Sequence, residues 1–182
     1  MALDGISGRL ERICRAMEGA SLPFALVGGQ AVALWVASRD PAAVRTTKDV
    51  DILLRREDLP RARAAALSAG MDYFEVLGVG MFLDREDPNP RHAVRLVWAG
   101  ERVRPECELP SPTVAEREEL SPGLPVVSLA GLVRMKLLAN RDQDRVHLPD
   151  MVDMALIGRE MLDGLTPELA RRLDVLLSEA GR

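Results

Sequence analysis

The fold is decided by residues 24–54, which read FALVGGQAVALWVASRDPAAVRTTKDVDILL. The apolar run Phe24–Val27 predicts a short buried strand, and residues 30–37 predict an apolar helix. A polar loop that contains Pro41 follows, and Val50–Leu54 predicts a second buried strand. The stretch therefore predicts a strand, a helix and a second strand, with glycines at the first turn.

Two glycines, Gly28 and Gly29, connect the first strand to the helix. Because glycine has no Cβ, a phosphate can approach this backbone closely, and the N-terminus of the helix offers free N–H groups to an anion. Glycine pairs also occur in ordinary turns, which is the simpler interpretation of this pair taken alone. The pair becomes informative because of the acidic residues that follow it.

Two aspartates, Asp49 and Asp51, stand at the start of the second strand. Residues i and i+2 of a strand point to the same side, so the two carboxylates are presented together. Two like charges on a buried strand repel each other and need a cation, and Mg²⁺ takes oxygen ligands and is often shared with substrate phosphates. The alternative is a solvated pair of carboxylates at a strand end. Together with the glycines, the aspartates predict a phosphate- and metal-binding site.

The composition excludes several other classes of protein. The chain has 182 residues and a 47% apolar share, which supports one folded domain, and its 3% aromatic share is too small for a base-stacking surface. No apolar run approaches the ~20 residues that span a membrane. The net charge of -4 argues against coating nucleic acid but leaves room for a local contact. Two cysteines are too few for a disulfide scaffold or a zinc site, and residues 1–10 lack a signal-peptide pattern, so we expect a cytoplasmic protein.

The rest of the chain predicts a mixed α/β region followed by helices. Further helices are predicted over 3–18, 57–69, 129–141, 147–160 and 167–180, and further strands over 71–76, 79–83, 93–98 and 102–104. Residues 105–125 contain five prolines and predict an extended connector. We therefore expect an α/β (α+β) fold. It comprises a core over 1–104 with a mixed twisted sheet and helices packed on it, a connector over 105–127, and a helical segment over 128–182 packed on the core.

These motifs resemble those of the nucleotidyltransferase superfamily with the DNA polymerase beta-like fold. In that family a strand leads to Gly-Gly, a helix follows, and the next strand carries Asp-x-Asp. The sequence RTTKD at 45–49 is similar to the branch of bacterial abortive-infection toxins. Residues 129–151, LAGLVRMKLLANRDQDRVHLPDM, are also similar to that branch, with a lysine-centred helix and then a turn rich in arginine and aspartate. The residues that fit this second pattern are Lys136, Arg141, Asp144 and Asp150.

The resemblance implies transfer of a nucleoside monophosphate from a nucleoside triphosphate (NTP) to an acceptor. Gly28 and Gly29 would hold the triphosphate, and Asp49 and Asp51 would bind two Mg²⁺ (or Mn²⁺) ions that steady the attacking and leaving oxygens. Lys136 would act at the catalytic site by pairing with phosphate oxygens. The toxin-type relatives imply RNA, such as tRNA ends, or a protein hydroxyl as acceptor, and an antitoxin as partner. Antibiotic-modifying enzymes of the same fold leave a small-molecule acceptor open.

Other residues near the motifs have two interpretations each. Arg45 and Lys48 flank the carboxylates and either bind nucleotide phosphates or offset the acidic charge. Lys136 shares a helix face with apolar residues and either extends to solvent or faces the site. Asp150 is either a nucleotide-site residue or a carboxylate in the first turn of its helix. The charged turn 141–145, taken alone, is typical of a solvated and mutually paired surface loop.

The chain departs from the family pattern at the third carboxylate, which is expected on the strand at 92–98, about where Arg95 stands. A guanidinium cannot ligate a cation. Three interpretations follow. A glutamate of the next segment supplies the ligand, the candidates being Glu101, Glu106 and Glu108. Alternatively, two carboxylates suffice, or the chain is a catalytically lapsed relative that only binds nucleotide or regulates, with Arg95 taking the place of a metal charge.

Overall fold

Seven strands form one mixed sheet in the computed structural model, which describes residues 8–45 and 47–181. They are β1 (Phe24–Val27), β2 (Val50–Leu54), β3 (Met71–Val76), β4 (Val79–Asp84), β5 (Val94–Trp98), β6 (Arg117–Ser121) and β7 (Leu124–Val127). The order across the sheet is β3-β4-β5-β2-β1-β7-β6. The pairs β2–β5 and β1–β7 are parallel, and the other neighbours are antiparallel. The predicted α/β (α+β) fold with a mixed sheet is confirmed.

Six α-helices accompany the sheet in the described part of the chain. They are α1 (Gly8–Gly19), α2 (Gly28–Ala37), α3 (Leu59–Ser68), α4 (Leu129–Ala139), α5 (Asp144–Asp153) and α6 (Pro167–Glu179). Short 3₁₀ turns lie at Pro41–Ala43, Arg56–Asp58, Pro90–His92 and Arg159–Gly164. None of the helices in residues 8–45 and 47–181 combines the length and the apolar character that crossing a bilayer requires.

The strands β1 and β2 lie at the centre of the sheet, and this position explains their apolar sequences. All four residues of β1 and four of the five residues of β2 are buried, the exception being Asp51 at the edge of the site. Helix α2 contacts β1, β2 and β7 and also packs against α4 and α5. The buried indole of Trp35 on α2 donates a hydrogen bond to the carbonyl of Val127 at 3.0 Å. The helix that follows the glycines is therefore fixed against both the sheet and the C-terminal helices.

Most predicted elements of the first hundred residues are present, with small differences at their ends. Helix α2 begins at Gly28, two residues before the predicted start. The predicted strand 102–104 is wrong, because these three exposed residues form no strand and Val103 and Arg104 are bends. The segment pairs with no described strand of the sheet. Residues 3–7 of the first predicted helix lie outside the described residues.

The proline-containing segment 105–127 was expected to be an extended connector, but its second half forms β6 and β7. The two strands form an antiparallel hairpin around Pro122 and Gly123, and Gly123 has a φ of 74°. Proline followed by a glycine of positive φ is typical of a tight turn. These residues therefore form the turn of a β-hairpin and do not mark an extended connector. Strand β7 then pairs with β1 and joins the segment to the central sheet. The domain boundaries at 104 and 127 stay a prediction.

The three C-terminal helices are present, but the middle one differs from the predicted range 147–160. Helix α5 begins at Asp144, because Asn140 ends α4 in a left-handed conformation and only a short turn separates the two helices. It ends at Asp153, and Ala155 has a positive φ of 54°. The remainder of the predicted range contains the start of the 3₁₀ turn Arg159–Gly164.

Candidate nucleotide site

The turn between β1 and α2 is shaped by the carboxylate of Asp51. Val27 on β1 is paired with Asp51 on β2, so the next residue, Gly28, lies against that side chain. A Cβ on Gly28 would lie 2.3 Å from Asp51 Oδ2, and Gly28 also has a positive φ of 67°. Both the contact and the backbone conformation therefore require glycine here.

Gly29 has a different close neighbour. A Cβ at Gly29 would lie 3.0 Å from the hydroxyl oxygen of Thr47. The loop that carries Thr47 is tied to α2 by Gln30, whose amide donates to the Thr47 carbonyl at 2.9 Å. Among residues 8–45 and 47–181, no side chain caps the N-terminus of α2, so its first backbone N–H groups are available to an anion.

The two predicted metal-binding aspartates come together with Arg95 on the adjacent strand. In the parallel β2–β5 pair, Asp51 and Arg95 are direct neighbours. Arg95 Nε donates to Asp51 Oδ1 at 3.0 Å, and Arg95 Nη2 lies 3.0 Å from Asp49 Oδ1. The side chains of Asp49, Asp51 and Arg95 are 43%, 22% and 41% exposed. One guanidinium thus bridges both carboxylates at the mouth of the site.

The charges of this cluster act on one another. Burial raises the pKa of Asp51 above its ordinary value, the charge of Arg95 opposes this rise, and the nearby charge of Asp49 adds to it. Burial lowers the pKa of Arg95, but the two carboxylates outweigh that effect and raise it overall. The guanidinium therefore stays charged and stabilises two carboxylates that would otherwise repel each other.

The structure supplies no third carboxylate from the predicted candidates. Glu101 forms an ion pair with Arg56 on the surface, at 2.7 Å. Glu106 and Glu108 line the same cavity as Asp51 but do not form a metal-binding group with it. Among residues 8–45 and 47–181, no three His, Cys, Asp or Glu side chains are arranged to hold a metal ion.

The donor atoms present fit one divalent cation better than two. Magnesium is commonly held by one or two carboxylates together with substrate phosphates. Asp49 and Asp51 meet that requirement, and the Oδ2 atom of Asp51, which faces Gly28, is not the oxygen that Arg95 contacts. A pair of cations usually needs further bridging ligands, which the described residues do not provide here.

Two cavities adjoin the glycine turn. The larger, of about 420 Å³, is lined by Gly28, Asp51 and Lys136, by apolar residues of α4, and by charged residues of α6 and of the segment 103–111. The smaller, of about 220 Å³, is lined by Gly29 and Arg45 and by residues of α5. A group bound at the N-terminus of α2 would reach both, and the larger cavity offers both apolar and charged side chains to a ligand.

Lys136, predicted to bind phosphates, is buried and has two partners. Its Nζ atom donates to Asp144 Oδ1 at 2.9 Å and lies 2.9 Å from Nδ1 of His147. Asp144 is also buried and accepts hydrogen bonds at 3.1 Å from the backbone and side chain of Arg141. The interpretation of 141–145 as a solvated turn is therefore wrong for Asp144. The role of Lys136 toward phosphates stays a prediction.

The pKa values of Asp144, Lys136 and His147 in this cluster are shifted. Burial raises the pKa of Asp144, but the hydrogen bond and charge of Lys136 and the charge of Arg141 outweigh it, so the pKa is lowered. Burial lowers the pKa of Lys136, and Asp144 opposes that shift. Burial and the neighbouring Lys136 lower the pKa of His147. His147 therefore stays neutral near pH 7, and a lysine that donates to Nδ1 leaves the ring proton on Nε2.

The remaining predicted nucleotide-binding residues separate into a pair and a single residue. Arg45 Nε lies 2.9 Å from Asp150 Oδ2, and Arg45 Nη2 donates to Asp150 Oδ1 at 3.1 Å. Both residues line the smaller cavity, so this ion pair forms part of its wall. Lys48 is exposed beside Asp49. Thr46, within the quoted motif, lies outside the described residues.

Sequence reasoning did not select Gln30, Thr47 or His147 as site residues. Gln30 had a recognisable signal, since it is the only strongly polar residue in the apolar helix α2. Thr47 lies within the quoted motif RTTKD, and His147 is three residues before Asp150 on one helix, but neither signal indicated the contacts that these residues make.

A strand leading through Gly-Gly into a helix, with the carboxylates of the adjacent strand against that turn, defines the nucleotidyltransferase class of fold. Three solved structures of that class are similar to the chain. A crystal structure of an antigenic nucleotidyltransferase-like protein from Paracoccidioides brasiliensis is 17% identical, covers 97% of this chain and 88% of its own, and has a TM-score of 0.59. A solution structure of the antibiotic-resistance factor ANT(2'')-Ia is 16% identical, covers 94% and 88%, and has a TM-score of 0.52.

A crystal structure of ANT(2")-Ia in complex with adenylyl-2"-tobramycin is 14% identical, covers 95% of this chain and 97% of its own, and has a TM-score of 0.51. At these identities the likeness shows the fold. A search of curated protein sequences gave no significant match. The chain belongs to the family described as nucleotidyl transferase AbiEii toxin, type IV TA system, whose sequence profile matches residues 12–182. The resemblance inferred from the two motifs is thereby confirmed.

The first prediction concerns Gly28. Gly78 also has a positive φ, of 79°, but a Cβ there would meet nothing within 4 Å. Gly78→Ala should therefore cost only the backbone strain, about 1–2 kcal/mol. Gly28→Ala should lower the free energy of unfolding by a further 1–3 kcal/mol or so, because its Cβ displaces the Asp51 carboxylate. Urea denaturation followed by circular dichroism measures both, and equal losses would contradict the close contact.

The second prediction concerns Asp144. Asp144→Asn should lower the free energy of unfolding at pH 7 by about 3–5 kcal/mol, because it leaves the buried Lys136 without its counter-charge. The pKa of Asp144 is lower in the folded than in the unfolded chain. Its contribution is therefore present above the unfolded value of about 3.9 and is lost as the pH falls through the folded value.

Denaturation at several pH values between 7 and 3 tests this sign. The difference between wild type and Asp144→Asn should shrink as the solution becomes acidic. Asp142→Asn, an exposed neighbour, should stay within about 0.5 kcal/mol of wild type throughout. A constant difference across the pH range would show that Asp144 does not act through its charge.

Proposed function

We propose that this chain transfers a nucleoside monophosphate from an NTP to a hydroxyl acceptor. The observation that carries the proposal is the contact between the Gly28 backbone and the Asp51 carboxylate. It joins an anion-binding helix N-terminus to a cation-binding pair of acids. A triphosphate and the divalent cation that accompanies it need these two features at adjacent positions.

In this proposal the backbone N–H groups at the start of α2 bind the triphosphate. The oxygens of Asp49 and Asp51 hold one divalent cation, Mg²⁺ or Mn²⁺, which when bound neutralises phosphate charge and polarises the phosphoryl oxygens. The base and ribose occupy the cavity of about 420 Å³ beside Asp51, whose lining includes apolar residues of α4 and charged residues of α6. Lys48 adds positive charge beside Asp49, and Arg45, paired with Asp150, is part of the wall of the smaller cavity.

The bond changes of the transfer balance without a further reactant. The acceptor hydroxyl oxygen bonds to the α-phosphorus, and the bond from that phosphorus to the bridging oxygen breaks, so that pyrophosphate leaves. The hydroxyl proton passes to Asp49, the more exposed of the two carboxylates. Lys136 sits behind this site on the cavity wall, where its pairing with Asp144 holds α4 against α5.

The acceptor in our proposal is RNA, such as a tRNA end, or a protein hydroxyl. The net charge of -4 favours a small local contact over extensive phosphate neutralisation. A small molecule is the alternative acceptor, and it is supported by the fold shared with ANT(2")-Ia, a protein solved with adenylyl-2"-tobramycin. The proposal places the chain in the cytoplasm, where NTPs are available.

A second candidate function is favoured by one observation. Arg95 contacts both carboxylates, and no third acidic ligand accompanies them among the described residues. In a catalytically lapsed protein, this arrangement would bind nucleotide and act through a partner, without transfer.

The third prediction separates these functions. The wild-type chain is incubated with Mg²⁺ or Mn²⁺, with each of four α-labelled NTPs in turn, and with RNA, protein and small-molecule fractions from bacteria. It should label one of these three classes of molecule. Asp49→Asn/Asp51→Asn should abolish the label, because it removes both cation ligands. Asp142→Asn/Asp163→Asn, which removes two exposed carboxylates outside the site, should label as wild type does. Nucleotide binding without any label would favour the lapsed protein.

The fourth prediction concerns the toxin character and the antitoxin partner that the family description suggests. Induced expression of the wild-type chain should slow the growth of a bacterial host, and the Asp49→Asn/Asp51→Asn variant should not. Co-expression of the gene adjacent to the chain's own gene should restore growth. Equal growth with the wild-type chain and the variant would contradict a toxin that depends on this site.

A further inference from the structure

Arg95 distinguishes this site from an acidic pair that would bind two divalent cations. Arg95 is the β5 neighbour of Asp51 in a parallel register, so the two side chains lie on the same face of the sheet. Its guanidinium lies 3.0 Å from an oxygen of each aspartate. A fixed positive charge therefore already occupies the space between the two carboxylates and the adjacent strand.

The charges of the site limit how many cations it accepts. Two carboxylates and one guanidinium sum to a single negative charge, and one divalent cation turns that sum into a single positive charge. A second divalent cation held by these carboxylates would lie close to the guanidinium, where like charges repel. The described residues also offer it no third acidic ligand.

The guanidinium keeps donors for another group. Arginine has five N–H donors in a planar fork, and the two carboxylate contacts use only some of them. Asp51 connects the guanidinium to the phosphate-binding turn, because its Oδ1 accepts from Arg95 and its Oδ2 faces Gly28. Only the carboxylate of Asp51 therefore separates Arg95 from the N-terminus of α2. Arginine is well suited to bind phosphate oxygens.

We propose that Arg95 takes the place of one of the two divalent cations, binds the triphosphate of the NTP directly, and leaves a site for a single cation. The inference rests on the proposed function, since it requires an NTP at Gly28 and Gly29. Arg95 becomes a residue that contacts the substrate in addition to holding Asp49 and Asp51 in place.

The fifth prediction is a count of bound cations. The protein is saturated with a non-hydrolysable α,β-methylene analogue of each NTP, and bound Mn²⁺ is measured by equilibrium dialysis with electron paramagnetic resonance. The wild-type complex should hold one Mn²⁺. Arg95→Asp, which introduces a third carboxylate, should hold two. Two ions in the wild-type complex would overturn the inference.

A second measurement covers the case in which Arg95→Asp does not fold. The affinity for the same analogues is measured by calorimetry in EDTA, where only the protein's own charges bind the triphosphate. Arg95→Gln should weaken this affinity about tenfold or more, the effect of losing a charge-assisted hydrogen bond. Arg91→Gln, which changes an exposed arginine just before β5, should leave it unchanged.

The outcomes separate this inference from the proposed function. If wild type and Arg95→Gln bind the analogues equally well in EDTA, Arg95 does not touch the triphosphate and the inference fails, while NTP binding still stands. If no analogue binds the wild-type chain with or without Mn²⁺, the proposed function fails first.

Discussion

The site depends on one contact, between the backbone of Gly28 and the carboxylate of Asp51. The antiparallel pairing of β1 with β2 places the first residue of α2 directly against that side chain. The carboxylate fills the space where any other residue would carry its Cβ, at 2.3 Å. A change at the start of α2 therefore also changes the position of the acidic pair and the cavity beside it. A larger residue at position 28 would displace the carboxylate of Asp51.

A second buried contact supports this arrangement from behind. Lys136 on α4 reaches Asp144 at the start of α5, and Arg141 closes the same carboxylate from the connecting turn. A buried pair of charges is stable only when its partners satisfy one another, so the turn between α4 and α5 has little freedom. Because α4 and α5 both pack against α2, the walls of both cavities are held in a fixed relation to the glycine turn.

Arg95 is the residue of this site that the family's motifs did not predict. The family membership rests on the order of motifs, and the sequence profile covers residues 12–182. On β5 the guanidinium of Arg95 contacts both carboxylates of the acidic pair and stabilises them.

The central strands, the glycine turn and the acidic pair could all be predicted from the sequence. Each of these is set by local rules: apolar runs predict buried strands, residues i and i+2 share a face, and glycine permits the turn. The contacts between distant residues could not be predicted and follow from the fold. It paired Arg95 with Asp49 and Asp51, Lys136 with Asp144, and β7 with β1, because strand register and helix packing join residues whose separation along the chain carries no signal of contact.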